Sequence, residues 1–137
     1  MLIDEVQAEY ARLYGGVGDI APIDPAEFVL PEGAFALVYC ADVPVAMGGW
    51  RAHGDGVAEI KRMYVRPPWR GRGFSDVVLA WIEQSAADAG RRQMILETGE
   101  PQPAAVALYR KSGYTNIPAF GFYAGEPQSV HLGKALL

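Results

Sequence analysis

Residues that hold metals and disulfides are scarce in this sequence. It contains one cysteine, Cys40, and two histidines among 137 residues. A single cysteine excludes an internal disulfide, and no set of cysteines, histidines and carboxylates has metal-ligand spacing. Cys40 ends an apolar run that starts at Phe35, so we expect a buried structural thiol and not a nucleophile. These shortages predict a protein that holds no metal.

Long hydrophobic runs are lacking as well. Half of the residues are apolar, but they form short runs broken by 16 glycines and 10 prolines. None approaches the roughly 20 residues of a membrane-spanning helix. The first five residues do not follow the basic-then-apolar plan of a signal peptide. We therefore expect a cytoplasmic protein without a membrane partner, organised as a single domain over residues 1–137.

Positive charge is in deficit overall but concentrated locally. The net charge of −4 argues against an extended nucleic-acid surface, so we expect no nucleic-acid partner. Five of the twelve basic residues nevertheless fall within twelve positions: Lys61, Arg62, Arg66, Arg70 and Arg72. This clustering predicts a local site for an anion.

The order of apolar patterns predicts the fold class. Helical spacing occurs over residues 4–14, 74–89 and 104–112, and strand patterns over residues 35–40, 45–51, 57–65, 92–97 and 130–136. The first two strands read as an antiparallel hairpin, whereas the helix between the third and fourth strands predicts that these two run parallel. We expect an α/β (α+β) fold, a mixed, mostly antiparallel central sheet flanked by helices. Three tryptophans, Trp50, Trp69 and Trp81, are expected to pack in it.

The segment between the third strand and the long helix is rich in glycine and arginine. Arg70-Gly71-Arg72-Gly73 stands directly before the helix. A helix N-terminus presents unpaired N–H groups, and glycines let the backbone close around a phosphate oxygen. The Gly-Lys-Ser/Thr ending of a Walker loop and the third glycine of a Rossmann fingerprint are missing. The residues alone predict a phosphate or pyrophosphate site, and they leave open a nucleotide-binding module.

Two motifs resemble the GCN5-related N-acetyltransferase (GNAT) family. Arg70-x-x-Gly73-x-Ser75 is similar to the family signature Gln/Arg-x-x-Gly-x-Gly/Ala, with Ser75 in place of the last small residue. Residues 102–114 resemble Asn-x-x-Ala-x-x-Leu-Tyr-x-x-x-Gly-Phe, with Gln102 at the asparagine and Tyr109 at the tyrosine. The resemblance covers roughly residues 57–114.

This resemblance implies an enzyme that binds acetyl-CoA as co-substrate, without a metal. The parallel strand pair would splay apart to form the CoA cleft, loop amides would bind the pyrophosphate, and the end of the preceding strand would bind the pantetheine arm. The implied acetyl-CoA-binding residues are Met63, Tyr64, Val65, Arg70, Gly71, Arg72, Gly73, Phe74, Ser75 and Gln102. The partners are then acetyl-CoA and an amine acceptor.

The resemblance also implies an N-acetyltransferase in which the amine attacks the thioester directly within a ternary complex. Tyr109 is the catalytic acid that it implies, and its alternative role is that of a core tyrosine. A tyrosine pKa of about 10 against about 8.5 for a thiol makes full proton transfer uphill by roughly 2 kcal/mol, so a hydrogen bond to the thiolate is an alternative. Glu59 is the implied base, and strand alternation predicts that it shares a face with Lys61 and Met63. A salt bridge to a nearby arginine is its alternative role.

Several further expectations concern the acceptor and the assembly. Glu97 and Glu100 follow the next strand and are candidates for the acceptor cleft, whereas His53 and His131 are expected to be ordinary histidines. The apolar stretch over residues 114–123 predicts a homodimer. A catalytically silent acyl-CoA-binding or sensor module remains an alternative to the enzyme.

Overall fold

The structure is a computed structural model that describes residues 25–99, 103–121, 124–125 and 127–136. The predicted helix over residues 4–14 lies outside this part of the chain. The elements described are β1 (Gly33–Cys40), β2 (Val43–Ala52), β3 (Val57–Val65), α1 (Phe74–Asp88), β4 (Gln93–Gly99), α2 (Pro103–Lys111), β5 (Thr115–Asn116) and β6 (Ser129–Ala135), with 3-10 turns at Pro25–Phe28 and Pro67–Trp69. Neither α1 nor α2 is long and apolar enough to cross a membrane.

The strands form one mixed sheet in the order β1-β2-β3-β4-β6-β5. Each neighbouring pair is antiparallel except β3 and β4, which are parallel. The hairpin between β1 and β2 turns through Ala41 and Asp42, both at positive φ (50° and 68°). Two such residues are typical of a tight turn whose twist matches that of its strands. The predicted fold class, hairpin and parallel pair are confirmed.

One face of the sheet, which we call the helix face, packs against α1 and α2. The buried residues of α1 recur at intervals of three to four positions, the spacing of one helix face; they are Val78, Leu79, Ile82 and Ala86. Helix α1 comes close to the sheet at Gly48 of β2, where a Cβ would lie 2.9 Å from side-chain atoms of both Val78 and Ile82. On the same face Trp50 is fully buried and donates from Nε1 to Ser85 Oγ over 3.0 Å.

The expectation that Trp81 on α1 packs within the fold is wrong. Val77 is 56% exposed and Trp81 44% exposed, so Trp81 is not a core residue. Both lie one position before the buried Val78 and Ile82, and one step of about 100° around a helix turns a side chain away from the sheet. The helix contains more apolar residues than its buried side can hold.

The parallel strands β3 and β4 stay paired over a short distance only. Their ladder comprises three pairs and ends at Glu59 opposite Ile95. Strand β3 then continues to Val65, still paired with β2, while β4 continues to Gly99, still paired with β6. The two strands therefore separate and leave a cleft between them, which confirms the predicted splay.

A bulge interrupts β3 at the cleft. Lys61 pairs with Gly49 and Tyr64 pairs with Met47, so two residues of β3, Arg62 and Met63, lie opposite one residue of β2. Arg62 has a φ of +60°. An extra residue reverses the alternation of side chains along the strand. Because of the bulge, Ile60 and Met63 face the same side although they are three residues apart, and both pack with the helix-face core.

Candidate active site

The loop that follows β3 is shaped by two glycines at positive φ, Gly71 (77°) and Gly73 (84°). Gly73 is the N-cap of α1 and lets the helix begin without a side-chain cap. The first helical bond runs from Val77 N–H to the Gly73 carbonyl over 3.2 Å, so the three N–H groups before it belong to the unpaired first turn. A Cβ built on either glycine meets no atom within 4 Å. The loop thus offers backbone donors beside open space, the arrangement that an anion requires.

The arginines of this loop contact the protein itself. Arg70 donates from Nε to the Val65 carbonyl over 2.9 Å, and its guanidinium lies 5.4 Å from the centre of the Tyr64 ring. The Arg72 guanidinium lies 5.0 Å from the centre of the Trp69 ring. Arg70 therefore ties the loop to the end of β3. The indole of Trp69 supports Arg72 by a cation–π contact.

Tyr109 lies on α2 and reaches the cleft strand β3. Its side chain is buried, with 5% exposed, and its hydroxyl donates to Met63 Sδ over 3.4 Å. Burial raises the pKa of Tyr109 above that of an ordinary tyrosine. The hydroxyl therefore remains protonated, a hydrogen-bond donor to Met63 in the stretch of β3 that no longer pairs with β4. The structure brings together these two residues predicted from separate motifs.

A second buried tyrosine, Tyr114, holds the Tyr109 ring in place. The sequence did not predict this role. The Tyr114 ring packs edge-on against Tyr109 with centroids 5.6 Å apart. The Tyr114 hydroxyl donates to Glu83 Oε2 over 2.7 Å, and Lys134 Nζ lies 3.2 Å from the same oxygen. Burial, followed by the bond to Glu83 and its negative charge, raises the pKa of Tyr114. The signal available in the sequence was a tyrosine where the resembled pattern has phenylalanine.

Glu59 lies on the opposite face of the sheet, which we call the second face. Its neighbours Ala58 and Ile60 belong to the helix-face core, so its side chain points the other way. It is buried, with 6% exposed, and accepts from Arg51 Nε over 3.2 Å. His53 Nδ1 lies 3.5 Å from the same oxygen, and Arg51 also donates to Glu27 Oε1 over 3.1 Å.

The predicted common face of Glu59, Lys61 and Met63 is therefore wrong for Met63. The bulge at Arg62 turns Met63 to the helix face, where it meets Tyr109. The salt bridge given as the alternative role of Glu59 is present, with Arg51 as its partner. Tyr109 and Glu59 consequently lie on opposite sides of the sheet, beside the same cleft.

The other candidates lie around this cleft or outside the described residues. Met63 and Val65 are half-buried, whereas Tyr64 packs with Met47 on the second face. Phe74 and Ser75, half-buried, begin α1. Gln102 and Glu100 lie outside the part of the chain that the structure describes.

The acceptor candidates of the second face also have positions in the structure. Glu97 is half-buried and pairs across the sheet with His131. The His131 ring is in edge contact with Phe120, and Phe120 with His53, at centroid distances of 5.0 and 5.2 Å. These aromatic rings lie on the face that carries Glu59. His53 and His131 therefore belong to a cluster of rings beside Glu59, which the sequence did not indicate.

Comparison with known proteins agrees with this geometry. The family model described as the acetyltransferase (GNAT) family matches residues 3–114. This chain belongs to the GNAT acetyltransferase family. It is 34% identical to an IAA acetyltransferase of Azospirillum brasilense over 109 residues, covering 80% of this chain and 67% of that protein. GNAT membership makes it an acyltransferase of the N-acetyltransferase type, and it confirms the resemblance found in the sequence.

Solved structures show the same GNAT architecture. A protein assigned as an acyl-CoA N-acyltransferase from Klebsiella pneumoniae superposes with a TM-score of 0.82 at 29% identity, covering 99% of this chain and 88% of that one. A GNAT family acetyltransferase from Elizabethkingia anophelis with acetyl-CoA bound has a TM-score of 0.67 at 17% identity, with 78% of each chain covered. The sheet with its splayed pair is thus a GNAT fold.

The two buried tyrosines predict how stability depends on alkaline pH. Their folded-state pKa values are raised, so the folded chain keeps two protons that the unfolded chain releases near pH 10. The free energy of unfolding should be insensitive to these tyrosines below about pH 9 and fall above about pH 10, by up to about 1.4 kcal/mol per pH unit for each tyrosine. Urea unfolding over this pH range measures the slope.

Replacing Tyr114 with phenylalanine provides the matched variant. It keeps the ring against Tyr109 and removes the hydroxyl bond to Glu83. We expect a loss of about 1.5–3 kcal/mol at neutral pH, because a hydrogen bond to a charged group is removed, and a shallower alkaline slope. An alkaline slope equal to that of the wild type would contradict the protonated state assigned to Tyr114.

Proposed function

We propose that this protein transfers the acetyl group of acetyl-CoA to an amine by direct attack within a ternary complex. The observation that supports it most is the contact between Tyr109 and Met63 beside the cleft, with the glycine loop at the end of the same strand. A hydroxyl donor and an anion-binding loop are thereby joined by a stretch of β3 from which β4 has departed.

Binding of acetyl-CoA is assigned to this loop and strand. The unpaired first-turn N–H groups of α1 suit the pyrophosphate, and the glycines leave room for it. Beyond Glu59, the edge of β3 that faces away from β2 has no ladder with β4, so its backbone groups are suited to the amide groups of the pantetheine arm. The fold neighbour from Elizabethkingia anophelis has acetyl-CoA bound, which supports acetyl-CoA as the ligand of this fold.

In the proposed reaction Tyr109 stabilises the departing sulfur. The amine nitrogen bonds to the acetyl carbon, the carbon–sulfur bond breaks, and the electron pair remains on sulfur as a thiolate. Because burial raises the pKa of Tyr109, complete proton transfer to the thiolate is more uphill than for an exposed tyrosine. Tyr109 therefore acts as a hydrogen-bond donor to the thiolate, the alternative to full proton transfer that the sequence already offered.

Glu59 is the proposed acceptor of the amine proton. It is a buried carboxylate in the last pair between β3 and β4, on the face opposite Tyr109. An amine entering from that face would reach the acetyl carbon while the sulfur faces Tyr109. The pairing of Glu59 with Arg51 keeps the carboxylate in place, and a water molecule can carry the proton to it.

Replacement of Tyr109 by phenylalanine tests the acid side of the mechanism. Loss of one hydrogen bond to a charged sulfur corresponds to about 1.5–3 kcal/mol, so kcat should fall by about 10- to 150-fold. The KM for acetyl-CoA should change little, since the loop and β3 remain. Steady-state assays of thiol release with a panel of amines give both constants. Unchanged kcat would remove Tyr109 from the mechanism, and no thiol release by the wild-type protein with any amine would contradict the proposed function.

Replacement of Glu59 by glutamine has a matched control in Glu27. Both carboxylates bind the Arg51 guanidinium, but only Glu59 lies at the end of the β3–β4 ladder. We expect Glu59→Gln to lower kcat by about 100-fold or more and to alter the pH–rate profile, as loss of a general base does. Glu27→Gln should leave the profile unchanged. Equal effects of the two substitutions would assign Glu59 to positioning Arg51 and not to proton transfer.

Substitutions in the loop separate backbone from charge in CoA binding. Gly73→Asp places a carboxylate in the open space above the first turn and should abolish binding, whereas Gly73→Asn carries the same shape without charge and should weaken it less. Arg72 stacks on Trp69, so Arg72→Ala should weaken binding only about fivefold. Calorimetry with CoA measures all three. Equal losses in Gly73→Asp and Arg72→Ala would contradict the assignment to the backbone.

A further inference from the structure

Arg62 combines two unfavourable features at one position. It occupies the β3 bulge with a φ of +60°, a conformation that long side chains rarely adopt. Its Nη1 atom is buried and has no hydrogen-bond partner within the part of the chain that the structure describes. A buried donor without a partner destabilises a fold, and native structures have few of them.

The other arginines near the cleft are placed differently. Arg51 binds Glu59 and Glu27, Arg66 donates from Nη1 to the Pro44 carbonyl over 3.1 Å, and Arg70 donates to the Val65 carbonyl. Each of these guanidiniums is held by an oxygen of the protein itself. Among the four arginines compared, Arg62 therefore differs in having a buried N–H group that no oxygen of the described residues accepts.

The backbone conformation of Arg62 is a second sign that this position is not optimised for stability. A bulge residue at positive φ is most easily a glycine, which adopts that conformation without strain. Strained backbone positions cluster at active sites and ligand-binding segments, and an unsatisfied buried donor requires an explanation such as a catalytic role or a bound group. At Arg62 both occur next to Met63, the residue that contacts Tyr109.

We infer that Arg62 binds an acid group on the acceptor, so that the preferred acceptor carries a carboxylate as well as an amine, as an amino acid does. The inference rests on the proposed function and deepens it. A guanidinium matches a carboxylate with two parallel hydrogen bonds. In the proposed function the pyrophosphate of acetyl-CoA is bound by the first-turn N–H groups of α1, in the loop after Val65. A carboxylate on the acceptor would supply the oxygen for Arg62, which lies three residues beyond Glu59 on the stretch of β3 that no longer pairs with β4.

The test compares acceptors that differ only in this group. The proteinogenic L-amino acids and their carboxamides are assayed with the wild type, Arg62→Lys, Arg62→Gln and Arg62→Gly. The control is Arg92→Gln, which removes the same charge from an exposed position next to β4. We expect the wild type and Arg92→Gln to prefer the acid over its amide in kcat/KM by about 10- to 100-fold. Arg62→Gln and Arg62→Gly should remove this preference without changing the KM for acetyl-CoA, and Arg62→Lys should retain part of it.

Glycine at position 62 also serves as the folding control, because it suits the positive φ of the bulge. If Arg62→Gln fails to fold, Arg62→Gly keeps the comparison available. Thermal unfolding in the presence of CoA provides a readout that needs no transfer, since the acid should raise the Tm of the wild type more than its amide does. This difference should vanish in Arg62→Gly.

The outcomes distinguish the inference from the proposed function. A wild type that does not discriminate acid from amide, or an Arg62→Gly variant that still does, overturns the acid site. A raised KM for acetyl-CoA in Arg62→Gly, with the acid preference intact, overturns it by assigning Arg62 to the donor. Absence of thiol release with every amine contradicts the proposed transfer, while the difference in Tm between acid and amide still decides whether Arg62 binds a carboxylate.

Discussion

The separation of β3 from β4 after three pairs is the constraint on which the rest of the structure depends. Parallel strands normally continue to share backbone hydrogen bonds, and here each strand keeps its outer neighbour while losing the inner one. The inner backbone groups of β3 then face a gap. A fold can leave such groups available only where water or an extended, amide-containing ligand can satisfy them. The loop, the bulge and both candidate catalytic side chains are all found along this gap.

The two sides of the gap differ in their chemistry. On the helix face, Tyr109 lies among apolar core residues and against Tyr114. The Tyr114 hydroxyl donates to Glu83, which also pairs with Lys134. On the second face, Glu59 lies in a cluster of charged and aromatic groups. In the proposed mechanism this arrangement places the hydrogen-bond donor for the thiolate and the acceptor of the amine proton on opposite sides of the sheet. The sheet itself prevents Tyr109 and Glu59 from pairing with each other.

Much of this fold was predictable because its signals are local. The glycines before α1, the hairpin and the strand–helix–strand unit are all specified by neighbouring residues, and the two motifs were sufficient to indicate the GNAT family. Face assignments failed where one inserted residue changes the count, as Arg62 does for Met63. The Tyr114 contact with Glu83 joins residues 31 positions apart, which periodicity does not reveal. The homodimer and the cytoplasmic location remain predictions from the sequence.

The thioether that receives the Tyr109 hydroxyl has a further consequence. Sulfur in methionine is a weak hydrogen-bond acceptor, so the contact with Met63 Sδ holds the hydroxyl in orientation while contributing little energy. A carbonyl or carboxylate in that place would bind the hydroxyl strongly and would have to be given up when a better acceptor arrived. In the proposed mechanism, the Tyr109 hydroxyl exchanges the neutral sulfur of Met63 for the anionic sulfur of the departing thiolate, and this exchange is favourable. Met63 Sδ is thus a weak hydrogen-bond acceptor for Tyr109. It keeps the buried hydroxyl oriented and is easily replaced by a stronger acceptor.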